Sequence, residues 1–268
     1  MLLKAPVLPD EVVARLKPNE AAEYLKALEA VAQSNRENKF YGMFPNEGPF
    51  RRELYPKHVQ FFRLGAIHRE RLFMAGNRVG KSQGGMFEAT AHLTGCYPDW
   101  WEGRRFDKPI RAWVAGKDTT TTRDILLTGL FGEIISNPNG TKSMDGMGMV
   151  PKRMIGAITW RRGIDLIDRA RVRHFDAKGN FDGWSKVGFK SYEMGRGSFE
   201  GTEQEMVLLD EEPPEDVYSE CLVRTMTTGG IVMVLFTPMA GLSNVVKSFM
   251  GDGSAMADER LAFDPDIE

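Results

Sequence analysis

One stretch constrains this 268-residue chain more than any other: "RLFMAGNRVGKSQGGMFEATAHLTG", Arg71 to Gly95. It opens with a short apolar run, Arg71 to Ala75, that reads as a strand. It closes with a run that reads as a helix from Lys81 to about Thr94, stopped by Gly95. Between them lies Ala75-Gly76-Asn77-Arg78-Val79-Gly80-Lys81-Ser82, one residue away from the pattern G-x-x-x-x-G-K-[ST]. Alanine stands where the first glycine is usual. That position needs only a small residue leaving the strand, and Gly76 beside it supplies flexibility. In such a loop consecutive backbone N–H groups wrap phosphates and the following helix adds its positive N-terminus. Gly80 then allows close approach, Lys81 reaches the β- and γ-phosphates of ATP, and the Ser82 hydroxyl takes Mg2+. Arg78 inside the loop admits two readings: a charge near the γ-phosphate, or plain solvent exposure.

The rest of the chain supplies the sheet such a loop needs. Ile110 to Gly116, "EMVLLDEEPP" around Met206 and "GGIVMVLFTP" around Ile231 are apolar runs that read as buried strands. A threonine-rich turn and an amphipathic helix fill Lys117 to Ile135, and helices are expected in "PEDVYSECLVRTM" and "LSNVVKSFM". Continuous apolar strands alternating with helices imply a mostly parallel sheet covered on both faces. Residues 10–34 read as helix broken at Pro18, so 1–50 is taken as an N-terminal helical segment. Residues 51–250 form the P-loop domain. Within it, "RARVRHF" and "SKVGFKSY", separated by "DAKGNFDG", read as an inserted β-hairpin. Residues 251–268 are expected to be an acidic linker or tail.

The second half of a nucleotide site is readable too. A carboxylate at the C-terminal end of a parallel strand faces the crevice where ligands bind. Asp210 is so placed, to hold Mg2+ through water. Glu211 is the natural general base for an attacking water. Its competing reading is an acidic helix N-terminus, since a helix follows Pro213. Thr237 and Pro238 end the next strand, either sensing the γ-phosphate or merely leaving the sheet. Net charge is −2, so any contact with nucleic acid must come from a local patch. The segment 151–173 offers one: Lys152, Arg153, Arg161, Arg162, Arg169, Arg171 and Arg173 surround Trp160. Either it tracks phosphates without reading bases, or it is a solvated face. Two cysteines, Cys96 and Cys221, are too few for a disulfide framework. No run of apolar residues is long enough to span a membrane, and the N-terminus lacks a signal-peptide pattern.

Together these motifs resemble the large terminase subunit of tailed bacteriophages, most closely the headful-packaging, short-tailed branch. "FMAGNRVGKS" resembles its degenerate Walker A, "MVLLDEEPP" its Walker B and catalytic glutamate, and "FTPMAGLSNVV" its third, coupling motif. The resemblance spans about residues 50–250. It implies an additional-strand P-loop fold and an ATPase driving double-stranded DNA into a procapsid. The roles given to Lys81, Ser82, Asp210 and Glu211 carry over, and Thr237 and Pro238 become the coupling pair. Implied partners are the portal protein, a small terminase subunit and identical subunits in a ring, expected to be a pentamer. The implied setting is the host cytoplasm, transiently on the procapsid and outside the mature virion. An adenine-contacting glutamine usually precedes the loop; here His58 stands in its place, with Gln60 two residues on. An Arg-Gly pair usually acts on a neighbour's nucleotide; here it reads Glu200-Gly201, leaving Arg196 or Arg78 as the arginine. The family's nuclease domain is expected to be absent from this chain. The rival readings are a small-molecule P-loop kinase and a nucleotide-dependent assembly module.

Overall fold

The computed structural model describes residues 8–48, 50–237 and 243–250. Helices α1 (Asp10–Val13) and α2 (Pro18–Glu37) come first. Pro18 opens α2, where its missing N–H costs nothing. No side chain of α2 is buried. Phe40 and Phe44, just beyond it, are buried and pack their rings on Phe87. The main core therefore begins ahead of residue 50.

Helix α3 (Pro56–Leu64), strand β1 (Glu70–Met74), helix α4 (Lys81–Thr94) and strand β2 (Arg111–Gly116) follow. Gly95 ends α4 in the left-handed conformation, φ 70°, as a glycine cap does. The next helical stretch is α5 (Thr119–Thr121), a π-helical segment (Thr122–Leu127) and α6 (Thr128–Phe131). The sequence pattern carries this helix to Ile135, but the chain leaves it four residues earlier. Gly132 takes φ 89°, and the Asp145 carboxylate accepts the N–H groups of Glu133 and Met147. Ile134–Ser136 (β3) then pairs with Lys142–Met144 (β4) in a small antiparallel ribbon.

Strands β5 (Ile155–Trp160), β6 (Ile167–Phe175), β7 (Phe181–Ser191) and β8 (Met206–Asp210), helix α7 (Glu215–Met226), strand β9 (Ile231–Phe236) and helix α8 (Asn244–Met250) complete the chain. Seven strands form one sheet in the order β1-β9-β8-β2-β7-β6-β5. The first five are parallel to one another, and β6 and β5 are antiparallel additions. Strand β9 lies between β1, which leads into the loop, and β8, which carries the acids. That interposed strand defines the additional-strand P-loop fold.

Strands β8 and β9 are buried along their whole length. One face of the sheet packs a core that includes Met86, Phe87 and Leu93 of α4. The opposite face packs another, with Val217 and Cys221 of α7 and Val245 and Val246 of α8. The hairpin read from the sequence is present, its turn held by the Asp176 carboxylate accepting from the N–H groups of Lys178 and Asn180. It is not an appendage, however: β7 pairs with β2 along six residues, so the hairpin widens the main sheet.

Candidate functional site

Strands β1, β8 and β9 are parallel, so their C-terminal ends meet at one edge of the sheet, and the loop 75–80 joins β1 to α4 there. Glycine is required at Gly80, which adopts φ 86° immediately before α4. Around Gly76 an added Cβ would meet no atom, so the structure itself imposes no glycine there. Two further glycines let α4 lie close to its neighbours. A Cβ on Gly84 would come within 2.8 Å of the His58 ring, and one on Gly85 within 2.3 Å of Leu235.

Lys81 is buried, and its ammonium donates to the carbonyls of Ala75 (2.9 Å) and Gly76 (2.6 Å) and to Thr237 Oγ1 (2.9 Å). The Thr237 hydroxyl in turn donates a hydrogen bond to Asn77 Oδ1, 2.9 Å away. One chain of bonds thus ties the end of β9 to the loop through the lysine. Burial pulls the Lys81 ammonium below its ordinary pKa, with Glu211 and Asp210 opposing. Ser82 Oγ donates to Asp210 Oδ1 at 2.8 Å. Burial raises the Asp210 carboxyl to about 6, and the charge of Glu211 adds to this, while Ser82 and Lys81 work against it. A hydroxyl and a carboxylate in contact are hard oxygen donors of the kind Mg2+ takes, so Ser82 and Asp210 fit that ion. Glu211 follows at the exposed end of β8 with φ 64°, a left-handed conformation rare outside glycine.

The remaining site residues fall in several places. Val79 and Arg78 are exposed on the loop. Arg78 also has a left-handed backbone, φ 63°, and among the described residues its side chain makes no hydrogen bond or ion pair. His58 lies beneath the loop rather than before it. Its ring is buried against Phe73 and meets Gly80 and Gly84, so packing claims the side chain assigned to the base contact. Gln60 is half-buried on the same helix, α3. Arg196 binds the buried Glu220 of α7 at 3.0 Å and approaches Glu200 at 3.8 Å, all within its own chain. Arg224 holds the other oxygen of Glu220. Pro238 lies outside the described residues.

The basic residues of 151–173 do not form one stripe. Lys152 pairs with Glu37 and Arg153 with Asn38 and Tyr41, anchoring this segment to the end of α2. Arg161 donates to the Phe189 carbonyl and faces Asp168. Arg162 is exposed in the turn before β6. Arg169, Arg171 and Arg173 alternate along β6 and are all exposed, while Ala170, Val172 and His174 between them are buried. Across the ladder Arg171 faces Lys186 and Arg173 faces Trp184. The Arg173 guanidinium lies 4.9 Å from the Phe181 ring centroid. Lys186, Trp184 and Phe181 were missed by sequence reasoning; period-two alternation in "FDGWSKV" and "DRARVRHF" puts Lys186 and Trp184 on this face, whereas Phe181 reaches Arg173 only past the register shift at the hairpin end.

A family model described as the terminase large subunit, T4likevirus-type, N-terminal, matches residues 72–259. The chain belongs to the terminase large-subunit family. The terminase large subunit of Salmonella phage P22 is 33% identical over 260 residues, covering 91% of this chain and 49% of that relative. The chain thus spans about half the length of the curated terminase it matches. The large terminase ATPase domain of Thermus phage P74-26 aligns with 74% of each chain, at 16% identity and a TM-score of 0.48. A large terminase of a thermophilic bacteriophage, solved in complex with ADP, covers 68% of this chain at 13% identity, with a TM-score of 0.40.

Proposed function

We propose that this terminase chain is an ATP-hydrolysing motor that drives double-stranded DNA into a procapsid. The observation that carries the reading is the convergence of Lys81, Thr237 and Asn77 with the Ser82–Asp210 pair at the loop edge. Bound Mg2+ would supply charge neutralisation between the phosphates, held by Ser82 and Asp210. Lys81 moves from the loop carbonyls to the β- and γ-phosphates, and the backbone N–H groups of the loop orient them. Among the described residues Glu211 is the one exposed acid beside this pair, and it accepts the proton of the attacking water. Thr237 touches both Lys81 and Asn77, which supports a role in passing the state of the loop to β9.

The exposed face of β6 and β7 supports the DNA contact. Three arginines and a lysine with two aromatic rings give a sequence-independent grip on phosphates, which is what a packaging motor needs. Partners in this reading are the portal, a small terminase subunit and copies of this chain in a ring, working in the host cytoplasm on the procapsid.

Phosphate release from Mg-ATP, measured with and without duplex DNA, tests this reading. Hydrolysis that DNA stimulates, and that Lys81→Ala abolishes, is expected. ATP bound without turnover would instead mark an assembly module. Transfer confined to a small-molecule acceptor would mark a kinase.

A further inference from the structure

The backbone at the end of β8 is unusual. Pro213 steers Glu212 away from helical geometry, so the turn out of the strand falls on Glu211. The glutamate takes φ 64° there, which an L side chain adopts only when its surroundings enforce it. Two contacts do so. The Glu211 N–H donates to the Leu235 carbonyl of β9 at 2.7 Å. On the other side, the Tyr192 hydroxyl lies 2.9 Å from the Asp210 carbonyl oxygen and 3.0 Å from that of Glu211. A phenol carries one proton, so the two carbonyls share it. The Tyr192 ring is buried in the core that also holds Trp113, Leu209, Phe199 and Val217. It leaves the sheet immediately after β7, whose last residue pairs with Gly116 of β2.

We propose that Tyr192 is a positioning residue for the general base: its hydroxyl clamps the backbone of Asp210 and Glu211, fixing the left-handed turn that aims the glutamate. The inference rests on the reading of Glu211 as that base. The clamp uses backbone oxygens, so it leaves both carboxylates free for metal and water. It also explains why a site with two acids in sequence needs a rigid floor. Without it, Glu211 relaxes toward ordinary φ and its carboxylate leaves the line of attack, and a misplacement of that size is costly to rate.

The test is Tyr192→Phe, which keeps the ring and removes only the hydroxyl. ATP turnover should fall about tenfold or more, while the affinity for a fluorescent ATP analogue stays within about twofold. Placed on Glu211→Gln, which is itself expected to turn over slowly, the same change should cost nothing further, because there is no base left to aim. A purely structural role would lower nucleotide affinity in step with turnover and would add its loss to that of Glu211→Gln. Either result overturns the inference, as does wild-type turnover in Tyr192→Phe. Wild-type turnover in Glu211→Gln would remove the base assignment itself, and the inference would fall with it.

Discussion

Asp210→Asn should make the ligand-free protein more stable and inactive at the same time. The side chain is buried, and its carboxyl is raised to about 6 from an ordinary 3.8. Two units correspond to about 3 kcal/mol of preference for the neutral form. The sign follows from the direction. A carboxyl whose folded pKa lies above its unfolded pKa stabilises the fold fully below the unfolded value, and that contribution is lost as pH rises through the folded value. At pH 7.5 the wild type therefore carries a cost of about 3 kcal/mol that asparagine, never ionised, does not. Asparagine still accepts the bond from Ser82, so little is lost in exchange. A gain of about 2 kcal/mol, or about 5 °C in the unfolding midpoint, is expected at pH 7.5 without nucleotide or Mg2+. By pH 4.5 the wild type's cost falls by about 2 kcal/mol, so the difference should close to about zero. Thermal unfolding across this range measures both. With Mg-ATP the order should reverse, since only the wild type gains from binding. An asparagine variant no more stable than wild type at pH 7.5, or a gap that does not narrow with acid, would refute the reasoning.

Buried on the inner side of α4, Glu88 bonds Arg71 of β1 at 2.7 Å and His92 of the same helix at 3.2 Å. Burial raises the Glu88 carboxyl, but Arg71 and His92 outweigh it and hold it below its ordinary value; burial keeps His92 low as well. Both depressed values make the fold lose stability in acid, His92 below about 6.5 and Glu88 below about 4.5. In the Asp210→Asn background, which removes the opposing slope, the unfolding midpoint should fall steadily from pH 7 to 4, and His92→Gln should flatten the upper part. On the sheet face, Arg171→Ala and Arg173→Ala should each weaken duplex DNA binding and reduce its salt slope by about one, measured by fluorescence anisotropy, while Arg153→Ala changes neither. Arg196→Ala mixed with Glu211→Gln should regain partial ATPase activity if Arg196 serves a neighbour's site; to reach it, the side chain must first leave Glu220. If Arg78 acts within its own site, Arg78→Ala should be inactive in every mixture.

The sequence revealed those parts of the site that belong to continuous strings. The loop, the strand-end acids and Thr237 each sit in a short motif, and parallel pairing alone brings the three strand ends to one edge. Fold class followed from buried strands alternating with helices. What could not be read depends on contacts between distant segments. Nothing in "LYPKHVQFF" says that His58 packs under Gly84, because the fit depends on a missing Cβ twenty-six residues later. Tyr192 belongs to no motif, and its contact with the end of β8 exists only because β7 and β8 flank β2 in the sheet. The basic segment misled by counting charges along the chain. Its period of two, rather than its density, decides which arginines share a face, and bonds to the end of α2 and the residues after it claim Lys152 and Arg153. The helix after Thr119 was overrun because Ile134 and Ile135 continue an apolar pattern that Gly132 interrupts.

The central claim is that Glu211 activates water at a true phosphate loop. It is tested most directly by Glu211→Gln, with ATP affinity and single-turnover hydrolysis measured on the same preparation. The amide keeps the shape of the side chain but cannot accept a proton. Binding should match wild type while hydrolysis slows by roughly a hundredfold or more. Hydrolysis near the wild-type rate, with binding intact, would contradict the account and move the search for the base to Glu212.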